Sequence, residues 1–302
     1  MAARKNRATS APAHGSTSDL GSTSAKKSGF MTRLIFVVAA IVLILCLVAL
    51  ALFGLQYCVQ QKAYDDLESY ADTSTLNLAD LKVDWEGLSA INPDICAWIY
   101  VPGTKINYPV VHGTDNEIYL HKSFDGGQGF FSSAGTIFLD ANNNPDMLDR
   151  NNALYGHHMN DGSMFATFAD WSDSATFNEH RSIYVLTPRG NYRCTTFAYI
   201  KTTGSDAIVQ TRFPTENDYQ AYIQDKLNRS LVKQEGTVLT LENIRQSFMF
   251  STCEYTNNDG RAIIFAAVVE TTIPDDPYIK ATKVGSTDIT AQDQSAQLDV
   301  AA

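Results

Sequence analysis

The sequence predicts a mainly β domain, a closed barrel or a sandwich, carried behind one membrane-spanning helix. Three observations predict it. Nine short apolar runs of strand character are separated by clusters of Gly, Pro, Asn and Asp. Only a few segments show helical spacing. Near the N-terminus, the 22 positions of Leu34–Leu55 hold no charged residue.

That uncharged run has the length of a helix that crosses a bilayer, which needs about 20 apolar residues. Residues 1–33 carry six Lys or Arg (Arg4, Lys5, Arg7, Lys26, Lys27, Arg33) against the one acid Asp19, a charge of +5. Acids follow the run at Asp65, Asp66 and Glu68. The positive-inside rule then puts residues 1–33 in the cytoplasm and the rest outside. A cleaved signal peptide is the rival, but signal cores run only about 7–15 residues. No small-x-small cleavage pattern follows Leu55. The predicted organisation is a disordered basic tail (1–33), a membrane helix (34–55), a stalk (56–83) that is helical over 56–75, a folded outer domain (84–275) and a disordered tail (276–302).

The charge excludes a partner class. The chain carries 23 Lys and Arg against 33 Asp and Glu, for −10. The basic share is confined to the short tail, so no basic stripe for nucleic acid is present. Of the five cysteines, Cys46 falls in the membrane run and Cys58 at its edge, leaving Cys96, Cys194 and Cys253 for the outer domain. An odd, sparse set is a poor disulfide framework and points to a free thiol. Cys96 and Cys194 are expected to be reduced and buried.

The nine strand candidates are Ile95–Val101, Asn107–His112, Gly135–Asp140, Ala153–Gly156, Ile183–Thr187, Tyr192–Tyr199, Thr237–Leu241, Gln246–Thr252 and Ala262–Glu270. Helices are expected over 84–91, Ser163–Asp170 and Thr215–Ser230. The last has Tyr219, Tyr222, Ile223 and Leu227 at helical spacing, with Thr215 or Asn217 as its cap.

Three residues stand at strand edges with chemistry to offer. Cys253 ends the apolar run Phe248–Thr252, where a thiol can meet a substrate; a buried small hydrophobe is the bland alternative. His157 follows Tyr155-Gly156, where imidazole can pass protons near neutral pH; His158 is its neighbour, and two surface histidines are the bland alternative. No helical H-E-x-x-H or paired Cys-x-x-Cys supports a metal site. Arg261 opens the strand after Asn257-Asn258-Asp259-Gly260, so a hairpin connection sets it beside Cys253, where a guanidinium can stabilise an oxyanion. Pairing with Glu254 or Asp259 is its bland alternative.

The motifs themselves resemble a known family. Phe250-Ser251-Thr252-Cys253-Glu254-Tyr255, followed by Gly260-Arg261-Ala262-Ile263-Ile264, resembles the nucleophile and arginine strands of sortases, class B in particular. Tyr155-Gly156-His157-His158-Met159 is similar to that class's histidine motif. Ile91-Asn92-Pro93-Asp94, Pro102-Gly103-Thr104, Asp115-Asn116-Glu117, Tyr119-Leu120-His121 and Gly135–Asp140 resemble its earlier strands, in order, over residues 84–272. Met249-Phe250 stand where the family often has Thr-Leu.

The resemblance implies a closed sortase-type β-barrel of about eight strands with peripheral helices, Thr215–Ser230 being the long helix between two late strands. It implies a cysteine transpeptidase with Cys253 as nucleophile, His157 as acid–base and Arg261 as oxyanion or backbone donor. Leu120, Tyr155, Ser251 and Glu254 match positions near the substrate groove. The substrates would be secreted proteins with a C-terminal sorting signal, and the acceptor an amine of a peptidoglycan precursor or a pilin. No cofactor or metal is implied. A cysteine hydrolase sharing the thioacyl-enzyme and a non-catalytic adhesin are the rival functions.

Overall fold

The computed structural model describes residues 24–128, 132, 134–254 and 260–281, with the side chains of 24–28, Cys253 and Glu254 outside the description. The chain divides into two compact units, Met1–Leu55 and Gln56–Ala302. In the first, helix α1 (Ser24–Glu68) begins; from Gly29 it is long and apolar enough to cross a membrane. Every side chain from Met31 to Leu55 is exposed. A helix that is apolar all round and covered by no protein is suited to lipid. The expected cytoplasmic tail up to residue 23 and the C-terminal tail from 282 lie outside the described residues.

The second unit opens with the last turns of α1, which stop at Glu68, short of the helix expected to 75. A two-stranded ribbon follows, β1 (Ala71–Asp72) with β2 (Lys82–Val83). Helix α2 (Trp85–Ile91) is capped by the Asp84 carboxylate, which accepts the amide of Gly87 at 2.9 Å.

Eight strands then close a barrel. They are β3 (Ile95–Tyr100), β4 (Asn107–His112), β5 (Ile137–Leu139), β6 (Asn151–Tyr155), β7 (Ser182–Thr187), β8 (Gly190–Thr203), β9 (Ser247–Glu254) and β10 (Gly260–Thr271). Their order around the barrel is β10-β8-β7-β3-β4-β5-β6-β9, with β9 closing on β10. Pairing is antiparallel except for β4 with β5 and β6 with β9.

Alternation along the strands builds two layers. Leu154, Phe248, Phe250, Ala262 and Ile264 join one core with Ile99, Val110 and Leu139. Their neighbours Ala153, Met249, Ile263 and Phe265 face a second core, made with Tyr219, Tyr222 and Ile223. Those three lie on helix α5 (Glu216–Arg229), whose start is fixed by a capping box. The Thr215 hydroxyl accepts the Asp218 amide at 3.2 Å, and the Asp218 carboxylate accepts the Thr215 amide at 2.9 Å. Thr215, not Asn217, is therefore the cap.

Two expected elements differ. Thr237–Leu241 is not a strand, because side chains take the place of a ladder. The Gln234 amide group pairs with both backbone groups of Leu239, accepting at 2.8 Å and donating at 3.0 Å. The Arg181 guanidinium binds the Thr237 carbonyl at 3.0 Å. The helix expected from Ser163 is α3 (Ala166–Asp170), since Met164 sits at φ +55°, outside helical geometry. A short helix α4 (Ser174–Glu179), capped by Asp173, was not anticipated.

Candidate active site

β9 carries residue 253 and lies between β6 and β10. Cys253 is the register partner of Arg261 in the antiparallel pair β9–β10. On the other side, Tyr155 is the register partner of Ser251 in the parallel pair β6–β9. The Gly156 amide continues that ladder, donating to the Ser251 carbonyl at 3.1 Å. His157 is the next residue after this last rung, and Cys253 lies two residues beyond Ser251 on β9. Neighbouring strands lie about 4.8 Å apart, so positions 253 and 261 are adjacent, and His157 starts the turn that leaves the strand on the other side of β9. The remote sequence segments holding the three candidates thus converge at one end of the barrel.

Gly156 is what lets the chain turn off β6 at that point. A Cβ there would lie 2.4 Å from Ile137 Cδ1 and 2.7 Å from Phe165 Cγ. Both are buried core atoms that cannot yield. The turn that follows returns through Gly162 (φ +80°) and Met164 (φ +55°). The Phe165 amide donates back to the His157 carbonyl at 3.0 Å, and His158 bridges to Met164.

The His157 imidazole is held by a backbone atom. Its Nε2 lies 2.6 Å from the Leu120 carbonyl oxygen. A carbonyl oxygen only accepts, so Nε2 carries the proton and Nδ1 is the nitrogen left to exchange protons. Burial pushes the His157 pKa below its usual value; the Leu120 carbonyl opposes this, and the nearby His121 lowers it further. The His121 and His157 rings stand 6.1 Å apart. No local sequence signal singled out His121; it appeared only inside the Tyr119-Leu120-His121 run.

The expected groove residues lie on β6, on β9 and on the turn that meets His157. Leu120 ends a 3-10 turn (Ile118–Leu120) and contributes its carbonyl to His157. The Tyr155 hydroxyl donates to Asp140 Oδ2 at 2.8 Å, and its ring lies 5.2 Å from that of Phe138. Asp140 is buried, and also accepts from the Asn116 amide at 3.0 Å and the Asn142 backbone at 2.9 Å. That polar hub fixes the Tyr155 ring. Burial, then the Asp140 charge, raises the phenol's pKa, so it stays a neutral donor. Ser251 is buried, and Glu254 is the register partner of Gly260. Arg261 is half-buried, with Nη1 donating to the Gly260 carbonyl at 3.1 Å. Residues 255–259, including Asp259, lie outside the described residues.

Cys96 and Cys194 are unpaired and buried in the barrel core, and burial raises both thiol pKa values far above the ordinary range. Neither is poised to react at neutral pH.

Comparison with known proteins agrees with this architecture. The sortase domain family model matches residues 99–269. Staphylococcus aureus sortase B (strain NCTC 8325 / PS 47) is 29% identical over 242 residues, covering 76% of this chain and 96% of that protein. The X-ray structure of Clostridium perfringens sortase B superposes with a TM-score of 0.56 at 29% identity, covering 61% of this chain and 99% of that one. The Staphylococcus aureus sortase B–substrate complex does so with a TM-score of 0.59 at 28% identity, covering 69% and 95%. With an eight-stranded mixed barrel, a cysteine strand between the histidine and arginine strands, and a family match over more than half its length, the chain belongs to the sortase family of cysteine transpeptidases, as a class B member.

Proposed function

We propose that this transpeptidase is anchored in the cell membrane of a Gram-positive bacterium by α1, with residues 1–33 in the cytoplasm and the barrel outside. There it cuts the C-terminal sorting signal of secreted proteins and joins them to an amine of a cell-wall precursor or a pilin. The observation that supports the reading is the register that pairs Cys253 with Arg261 and, two residues before Cys253 and His157, pairs Ser251 with Tyr155. The exposed apolar helix and the basic residues before it support the anchoring and its direction.

In the first half-reaction His157 Nδ1 takes the Cys253 thiol proton, and the resulting thiolate attacks the carbonyl carbon of the scissile peptide bond. A C–S bond forms, and the oxyanion is met by the Arg261 guanidinium. The C–N bond then breaks, and His157 gives a proton from Nδ1 to the leaving amine. In the second half-reaction the acceptor amine attacks the thioester. His157 takes its proton, the new C–N bond forms and the C–S bond breaks. Leu120, Tyr155, Ser251 and Glu254 line the approach of the sorting peptide. Tethering at the leaflet raises the effective concentration of substrates that emerge there.

The test is turnover of a fluorescent sorting peptide with and without an amine acceptor. Acceptor-dependent formation of the joined product supports the reading. Release of the hydrolysed acid alone at saturating acceptor contradicts it.

A further inference from the structure

Tyr64, near the end of α1 within the barrel's own compact unit, touches the barrel at two points. Its hydroxyl donates a hydrogen bond to the Gly135 carbonyl. Its ring meets that of Tyr108 edge-on, with centroids 5.7 Å apart and planes at 88°. Each contact leads to His157 by a separate route.

The hydroxyl route runs through backbone. Gly135 sits at φ +59°, with its amide donating to Ser132 O at 3.0 Å. It packs so closely on the 3-10 turn that a Cβ would lie 2.6 Å from the carbonyl oxygens of both Tyr119 and Leu120. The next amide, Thr136, donates to Tyr119 O at 2.9 Å. Segments 119–120 and 135–136 therefore move as one packed piece, and the Leu120 carbonyl in that piece is the acceptor for His157 Nε2. The ring route runs through Tyr108, whose hydroxyl oxygen accepts the Met164 amide at 3.2 Å. Met164 is the left-handed residue on the returning limb of the histidine turn, bridged to His158.

We propose that Tyr64 is a positioning residue for His157: from the membrane-proximal helix it braces both the carbonyl that orients the imidazole and the limb that closes the histidine turn. The proposal rests on His157 being the acid–base of the reaction. Its physical ground is that an acid–base group must be held near its productive geometry by supports whose own freedom is removed. Left-handed, non-glycine Met164 and tightly packed Gly135 are two places where the local backbone needs outside support. Tyr64 bears on both. The stalk is then part of the catalytic apparatus as well as a tether.

The experiment uses the full-length chain in detergent micelles. Tyr64→Phe removes the hydroxyl and keeps the ring. The structure predicts a kcat lower by about two- to tenfold, the worth of one neutral hydrogen bond, with KM for the sorting peptide unchanged and the histidine limb of the pH–rate profile displaced. In a Cys253→Ala background, the ring-nitrogen NMR shifts of His157 should move with Tyr64→Phe. Tyr108→Phe, which deletes the other route, should add its own loss of kcat. If Tyr64→Phe changes thermal stability alone and leaves kcat, the pH profile and the His157 shifts in place, the proposal is overturned. The NMR readout needs no turnover. Retained turnover in His157→Ala would strike at the histidine's catalytic role, while the shifts would still decide whether Tyr64 holds the ring.

Discussion

The Leu120 carbonyl accepts a hydrogen bond from His157 Nε2 at 2.6 Å, and this contact decides which nitrogen of the imidazole can work. A backbone acceptor cannot be removed by a side-chain substitution at residue 120. Leu120→Ala is therefore expected to weaken peptide binding more than it disturbs the histidine. A raised KM with a nearly unchanged kcat is the pattern to look for in steady-state kinetics.

Burial is the largest influence on His157, and it lowers the pKa. The unfolded-state value is about 6.5, so the folded enzyme binds the proton less readily. The stability contributed by the neutral ring is full above about 6.5 and is lost as pH falls through the lower folded value. NMR titration of His157 in Cys253→Ala is expected to give a midpoint below about 6.5. A midpoint above that value would contradict a buried, neutral ring.

Gly156→Ala places a methyl group against Ile137 and Phe165 at 2.4 and 2.7 Å. Overpacking of this kind costs about 1–3 kcal/mol. The variant should melt at a lower temperature, and transpeptidation should fall by more than the unfolded fraction accounts for, because the displaced turn carries His157. Calorimetry and kinetics on the same sample separate the two effects. A normal melting temperature with normal turnover would show that the turn has slack the structure does not display.

Arg261→Ala is expected to lower kcat by about 10²–10³-fold, as for loss of an oxyanion donor. Arg261→Lys should restore little, since an ammonium lacks the planar fork of the guanidinium. Full recovery with lysine would indicate that charge alone is needed at this position.

Cys96 and Cys194 are buried with raised thiol pKa values. A water-soluble thiol reagent followed by peptide mapping should modify Cys253 and spare both. Cys96→Ala should cost stability while leaving turnover per folded molecule unchanged. Rapid labelling of Cys194 would contradict a closed barrel core.

Much of this arrangement was legible in the sequence. Eight of the nine strand-like runs are barrel strands, and Asn107–His112 has the bounds its pattern indicated. Strong β-branched and aromatic runs, with turn residues between them, leave few alternatives. Thr237–Leu241 misled because Gln234 and Arg181 satisfy its backbone from elsewhere in the chain, which no local pattern encodes. The short helix α4 was missed because six residues give too little periodicity to see. At the site, Cys253, His157 and Arg261 stood out by residue type and strand-edge position. The approach of the His157 segment to the cysteine strand depends on the parallel pairing of β6 with β9, a long-range contact with no short-range signature. A backbone carbonyl such as that of Leu120 has no sequence signature as a histidine acceptor. Tyr64 was hidden inside a stretch that read as a plain polar stalk.

Mass spectrometry of the enzyme after exposure to a sorting peptide tests the central claim most directly. A covalent adduct equal in mass to the peptide's N-terminal fragment should map to Cys253, appear in the parent chain, and be discharged by an added amine. It should be absent in Cys253→Ala and strongly reduced in Arg261→Ala and His157→Ala. An adduct on another residue, or full acylation after loss of both the arginine and the histidine, would contradict the account.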